Sequence, residues 1–223
     1  MPDTLAAMRA RLSGGKVRRG RPKAAEKDAI PTLILHAALM LFRKRGLDAT
    51  SIEQIAIVAG TSKTTIYRHF GSKEALAEAA VTLDGRKVLE TIRRADSSDP
   101  DPLARLRELT FAIAAHAALP SSADLYRFSL SAVPRVPAVG RAFAATGTAL
   151  RAMLLPHLTQ AQTAGLLRAG DPDRLTRQLY DAVVGPVWSD ALLLMDYVAD
   201  PEARDAVMRA NWEAFLRGAR PGD

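Results

Sequence analysis

Cysteine is missing from all 223 residues. Disulfide frameworks, thiolate metal sites and cysteine nucleophiles are therefore excluded, and a reducing compartment is compatible with what remains. Long apolar runs are missing too. None approaches the roughly 18–20 residues a membrane helix needs, so no membrane partner is expected. Met1 to Leu12 lacks the long apolar stretch of a secretory signal. It is Arg-rich enough to pass for an organellar transit peptide, but reads better as a tail leading into a basic arm, and the expected location is the cytoplasm. Lysine is absent beyond Lys87. Residues 1–90 carry 16 Lys and Arg against 9 Asp and Glu, while 91–223 carry 15 against 15, so the net charge of +7 belongs to one end. That is the footprint of a polyanion-binding module on a neutral partner domain, although a solvated basic face would give the same count.

Strand-period segments and internal repeats are also wanting, and the chain reads as all-α throughout. With 48% apolar residues it has enough material for a proper core. Residues 1–27 read as an arm, because Ser13-Gly14-Gly15 breaks any helix begun at Leu5 and Gly20 and Pro22 keep the next stretch extended. From Pro31 to Gly46, Ile34, Leu35, Ala38, Leu41 and Phe42 form one apolar stripe of 3.6-residue period. Either Thr50 with Glu53 or Ser51 with Gln54 makes a capping box for a short helix whose buried face is Ile52, Ile55, Ala56 and Ala59. Gly60 ends it, Thr61 or Ser62 caps a third helix to Phe70, and Ser72 caps a long fourth through Leu83. Further helices are predicted over 102–119, 121–133, 137–168, 172–197 and 201–218, each opened by a proline, with kinks or breaks at Pro156 and Gly185-Pro186. The domains expected are an arm at 1–27, a first helical domain at 28–75 and a second, larger helical domain at 76–223.

Two short helices joined by a turn at Gly60 have the layout of a helix-turn-helix. The second helix needs an apolar side to fix it and a small polar and basic side to fit the major groove. Lys63, Thr64, Thr65, Arg68 and His69 supply the polar side, and Ile66 and Phe70 the anchor; Tyr67 is read as either inward-facing or a phosphate contact. The run from Ile34 to Ala79 closely resembles the DNA-binding domain of the TetR family. The resemblance rests on Ala37-Ala38-x-x-Leu41-Phe42, Gly46, Thr50-Ser51, Ile55-Ala56, Ala59-Gly60 and, above all, Tyr67-Arg68-His69-Phe70-Gly71-Ser72-Lys73-Glu74-Ala75-Leu76. Thr64-Thr65 departs from pairs common in the family, which bears on operator choice. The resemblance implies that Lys63, Thr64 and Thr65 approach base edges, that Tyr67 and His69 touch phosphates, and that Thr50, Ser51 and Lys73 bind phosphate near helix starts.

Ahead of this domain, Arg18-Arg19-Gly20-Arg21-Pro22-Lys23 resembles the core of an AT-hook, with Arg19, Arg21 and Lys23 placed to enter a narrow minor groove. Behind it, Tyr126-Arg127-Phe128, Pro134-x-x-Pro137, Phe143 and Gly165-Leu166-Leu167-Arg168 resemble the C-terminal domain of a broad TetR subgroup. Leu175, Leu179, Val183 and Val187 make one apolar stripe; Val207, Met208, Trp212, Phe215 and Leu216 make another. The resemblance implies that these helices pair with their symmetry mates in a homodimer; the alternative is that the stripes serve the chain's own core. Phe111, His116, Tyr126, Phe128, Phe143, Met153, Trp188 and Met195 are candidates to line an effector cavity, with core packing the competing role. His116 and His157 have no second ligand at metal spacing on their own helices, so neither a metal nor a cofactor is expected. The expected function is a chromosome-associated regulator that binds a palindromic DNA operator and is released by a small molecule. A regulator or architectural protein without an effector is the alternative. A helical enzyme lacks a cofactor loop, a metal constellation and a nucleophile–base pair.

Overall fold

The computed structural model describes residues 24–96 and 99–221, with side chains from Ile30 onward. Ten α-helices and no strand occur among the described residues: α1 Ala24–Arg45, α2 Ile52–Ala59, α3 Lys63–Phe70, α4 Lys73–Arg94, α5 Pro102–Ala117, α6 Pro120–Ala132, α7 Pro137–Thr163, α8 Pro172–Leu192, α9 Asp196–Ala199 and α10 Pro201–Ala219. They divide into two compact units. One runs to Asp84 and takes in Phe128–Ala142; the other holds Gly85–Arg127 and everything from Phe143. The expected boundary after residue 75 thus falls within α4, which, like α6 and α7, contributes residues to both units.

In the first unit α1 packs on α2 and α3, and the buried side chains are Leu33, Ile34, Ala37, Ala38, Leu41 and Phe42 of α1, Ile52, Ile55, Ala56 and Ala59 of α2, Ile66 of α3, and Leu76, Ala77 and Ala80 of α4. Phe42 and Phe128 stack almost parallel, with ring centroids 5.2 Å apart, and Ala132, Val136 and Val139 close the same core. Arg43 pairs with Asp84 at 2.9 Å, and Arg135 with Asp48.

The second unit is organised around α8, which packs on α5 and α10. Leu106, Leu109 and Ile113 of α5, Leu154 and Leu158 of α7, Leu179, Val183 and Val187 of α8, and Met208, Trp212 and Leu216 of α10 form one continuous core. One local device recurs at three helix starts. Asp101-Pro102, Asp171-Pro172 and Asp200-Pro201 each place an aspartate at the N-cap and a proline at the first helical position. The carboxylate accepts amide hydrogens the helix cannot satisfy, and proline has none to leave unsatisfied. Pro156 and Pro186 interrupt nothing: α7 and α8 continue through both. Instead α8 stops five residues short of its expected end, because Leu194 turns left-handed (φ 56°) and the Met195 amide bonds back to the Asp190 carbonyl.

Candidate nucleic-acid interface

The interface is built from caps. Ser51 sits at the N-cap of α2 with extended backbone; its hydroxyl accepts from the Gln54 amide at 3.2 Å, and the Gln54 side-chain oxygen accepts from the Ser51 amide at 3.1 Å. Of the two capping boxes compatible with the sequence, this one forms. Thr50 is only 1% exposed and its hydroxyl donates to the Gly46 carbonyl at 2.7 Å. The phosphate contact expected of Thr50 is corrected accordingly, since its side chain ties the α1–α2 loop from inside. At the other end of α2, Gly60 is left-handed (φ 69°) and the Thr61 amide reaches back to the Ala56 carbonyl at 3.0 Å, a closure that favours glycine. Ser62 then caps α3, accepting from the Thr65 amide at 3.1 Å while the two hydroxyls share a further hydrogen bond.

Ile66 is fully buried and Phe70 half-buried, so α3 is pinned along one side. Lys63, Thr64, Arg68 and His69 are exposed on the rest of its surface, with Thr65 half-buried beside its cap. Tyr67 is 49% exposed, which overturns its reading as an inward ring. Arg68, left out of the expected contact set, shares this exposed surface. Lys73 behaves otherwise. It is half-buried, and its ammonium donates to the carbonyls of Leu47 at 2.9 Å and Thr50 at 3.2 Å. Two of its three donors are spent inside the protein, where they clamp α4 to the α1–α2 loop. Across the turn, the Lys63 ammonium donates to the Glu53 carboxylate at 2.6 Å, both side chains being 55% exposed. That hydrogen bond, followed by those from the Glu53 amide and the Ser51 hydroxyl, holds the Glu53 carboxyl down to about 2, and the Glu53 carboxylate raises Lys63. Sequence patterning singled out Glu53 only as a possible capping-box partner of Thr50, not as a partner of Lys63. Arg19, Arg21 and Lys23 lie outside the described residues.

The second unit gathers part of the expected cavity lining. Tyr126, Phe143 and Trp188 cluster with ring centroids 4.4–5.7 Å apart, all half-buried. Phe128 does not join them, being only 3% exposed and stacked on Phe42 in the first unit. Phe111 meets Trp212 edge-on at 6.3 Å, and Met153 packs on the same core. His116 is half-buried at the end of α5. Met195, 48% exposed, lines an open cleft of about 390 Å³ with Leu119, Arg127, Asp196 and Arg204. Leu175, Leu179, Val183, Met208 and Trp212 are 0–4% exposed in the single chain, and Phe215 packs beside Trp212. Side chains so enclosed have no surface left for a partner. Those five residues of the expected dimer seam lie in an internal α8–α10 seam of the chain, with Phe215 half-buried at its side. Among the described residues, no three His, Asp or Glu side chains are placed to hold a metal, and no helix is long and apolar enough to cross a membrane.

Residues 34–80 match the family of bacterial regulatory proteins, tetR family, and residues 104–218 match the AefR-like transcriptional repressor, C-terminal domain. The chain belongs to the TetR family. Family members are DNA-binding transcriptional regulators rather than enzymes. The chain is 39% identical over 94 residues to the HTH-type transcriptional regulator RutR of Escherichia coli (strain K12), a match covering 41% of each protein. It thus spans about two fifths of the length of that curated relative. Among solved structures, a protein of Mesorhizobium loti described as a TetR-family transcriptional regulator superposes with a TM-score of 0.77 at 25% identity, covering 90% of this chain and 100% of its own. The flavonoid-responsive regulator FrrA gives 0.69 at 25% identity, with 88% and 100% covered. The chain therefore has the family architecture, an N-terminal helix-turn-helix formed by α2 and α3 and a helical C-terminal domain.

Proposed function

We propose that this TetR-family regulator is a homodimeric repressor that grips a palindromic operator and lets go when a small aromatic molecule binds. The observation that carries the reading is α3, pinned by Ile66 and offering Lys63, Thr64, Tyr67, Arg68 and His69 outward on a capped turn. Lys63, Thr64 and Thr65 face base edges in this reading. Tyr67, His69 and the Ser51 cap meet phosphates, which set register without carrying sequence information. The arm with Arg19, Arg21 and Lys23 follows the minor groove. The half-buried cluster of Tyr126, Phe143 and Trp188 favours a flat aromatic effector, and the likeness to the flavonoid-responsive regulator FrrA supports the same class.

Dimerisation uses the outward side of α10. Ala206, Ala210, Ala214 and Gly218 recur every fourth residue, all exposed, flanked by exposed Arg209, Glu213 and Arg217. Small side chains allow close helix approach, and the mixed charges can pair across a two-fold axis. Release follows only if the effector binds one dimer arrangement better than the other; equal affinity would shift nothing. Genomic footprinting of the purified protein tests the reading, with an inverted-repeat footprint as the expected result. Flavonoid-type aromatics should raise the melting temperature and displace the DNA in the same titration. A protein that protects no DNA refutes it.

A further inference from the structure

The ion pair between Glu53 and Lys63 joins the two halves of the helix-turn-helix. Lys63 is the first residue of α3, where its charge meets the positive end of the helix and finds no local compensation. Glu53 lies in the first turn of α2, where a carboxylate is favoured, and is ten residues away in sequence. After the lysine, the Glu53 amide and the Ser51 hydroxyl are the next groups that favour the charged carboxylate. A long exposed lysine is otherwise a roving point charge that serves any phosphate within reach. Held by Glu53 at 2.6 Å, it keeps two free N–H donors in a restricted orientation and a neighbouring negative charge that opposes phosphate.

We infer that Glu53 is a positioning residue for DNA readout: by holding Lys63 at the start of α3, it withdraws that cation from sequence-independent phosphate binding and reserves it for base edges. The inference rests on α3 being the DNA-reading helix. It assigns to an acidic residue, set in a surface that must approach a polyanion, a gain in discrimination at some loss of affinity.

The test uses the full chain and double-stranded DNA. Sites are first selected from a randomised duplex library with the wild type, then affinities for a selected duplex and a scrambled one are measured between 50 and 200 mM salt. Glu53→Gln is expected to bind the scrambled duplex roughly three- to fivefold more tightly at the lowest salt, the size of effect an exposed charge pair allows. Its log–log salt slope should steepen by about 0.9, the equivalent of one added phosphate contact. The ratio of selected to scrambled affinity should fall. In a Lys63→Gln background the Glu53→Gln change should leave slope and ratio almost unmoved, because the carboxylate acts through the ammonium. A steeper slope of equal size in both backgrounds would mean simple repulsion of DNA by Glu53 and would overturn the inference. So would a Glu53→Gln protein indistinguishable from wild type. If the wild type selects no sequence and binds no duplex, the DNA-reading assignment of α3 fails first, and that result is distinct from either of these.

Discussion

At the residue scale, the two lysines of the interface contrast most sharply. Lys63 is exposed and paired with a carboxylate; Lys73 is half-buried and holds two backbone carbonyls. A charged hydrogen bond at a half-buried site, where the Leu47 carbonyl also accepts from the Thr50 amide at 3.4 Å, contributes about 1–2 kcal/mol. Lys73→Ala should therefore lower the melting temperature by about 2–6 °C, read by circular dichroism, and weaken binding to all sequences alike through a loosened loop. Lys63→Ala should shift the melting temperature less than Lys73→Ala does, and should change the selected consensus. If Lys73→Ala keeps wild-type stability and only shifts the salt slope, the clamp is wrong and the side chain serves phosphate. The Glu53–Lys63 pair carries its own pH signature. The carboxyl is depressed to about 2 from an ordinary 4.5, so its contribution to stability is complete above about 4.5 and is lost as pH falls from there through about 2. Lys63 is raised above 10.5, so its share is complete below that value and is lost as pH climbs through the folded one. The difference in melting temperature between wild type and Glu53→Gln should be flat across the neutral range and vanish near pH 2. A difference that varies around neutrality would place the pairing elsewhere.

At the element scale, caps and apolar stripes differ in how much the residues alone disclose. The aspartate–proline starts of α5, α8 and α10 are strictly local devices, and removing the Asp171 carboxylate with Asp171→Ala should cost about 1 kcal/mol in chemical denaturation. Local chemistry of this kind is legible from the order of the amino acids: Ile52, Ile55, Ala56 and Ala59 spell the buried face of α2, and Gly60 its stop. Choices between neighbours are not. Thr50 and Ser51 are both competent caps, and only the packing of Thr50 against the α1–α2 loop decides that Ser51 takes the role. The end of α8 carries no signal either, because leucine, not glycine, adopts the left-handed turn at Leu194. Leu179 and Trp212 mark the widest gap between pattern and packing. Apolar periodicity states that a face is buried but not by which chain. Here the partner of α8 is α10 of the same chain, and Leu179 is fully enclosed. Leu179→Glu would place an unpaired carboxylate in that core, a change costing about 3–5 kcal/mol. It should abolish cooperative unfolding rather than produce a folded monomer. A folded monomeric Leu179→Glu protein would restore the seam to the dimer.

At the scale of the whole molecule, charge and symmetry make complementary demands. The net charge of +7 lies in the first ninety residues, so non-specific attraction to DNA is supplied by one part of the chain and the remainder adds none. One short α3 reads too few base pairs to single out a site in a genome, and a two-fold axis doubles the reading, with half-sites near 34–36 Å apart or a multiple of that distance. With the apolar stripes of α8 and α10 enclosed in the single chain, the proposed pairing face is the side of α10 left outside. The exposed row of Ala206, Ala210, Ala214 and Gly218 presents small side chains along that helix. Ala210→Glu tests it cleanly, since the position is solvated in the single chain and the substitution removes no internal contact. Two glutamates brought face to face across the axis should repel, shifting sedimentation equilibrium toward monomer while the helical circular dichroism spectrum and melting cooperativity stay intact. Operator affinity should fall steeply, because each monomer then reads only one half-site, whereas affinity for scrambled DNA should fall much less. A dimer that tolerates Ala210→Glu at wild-type strength would remove α10 from the axis and leave the outward side of α8 as the surface to probe.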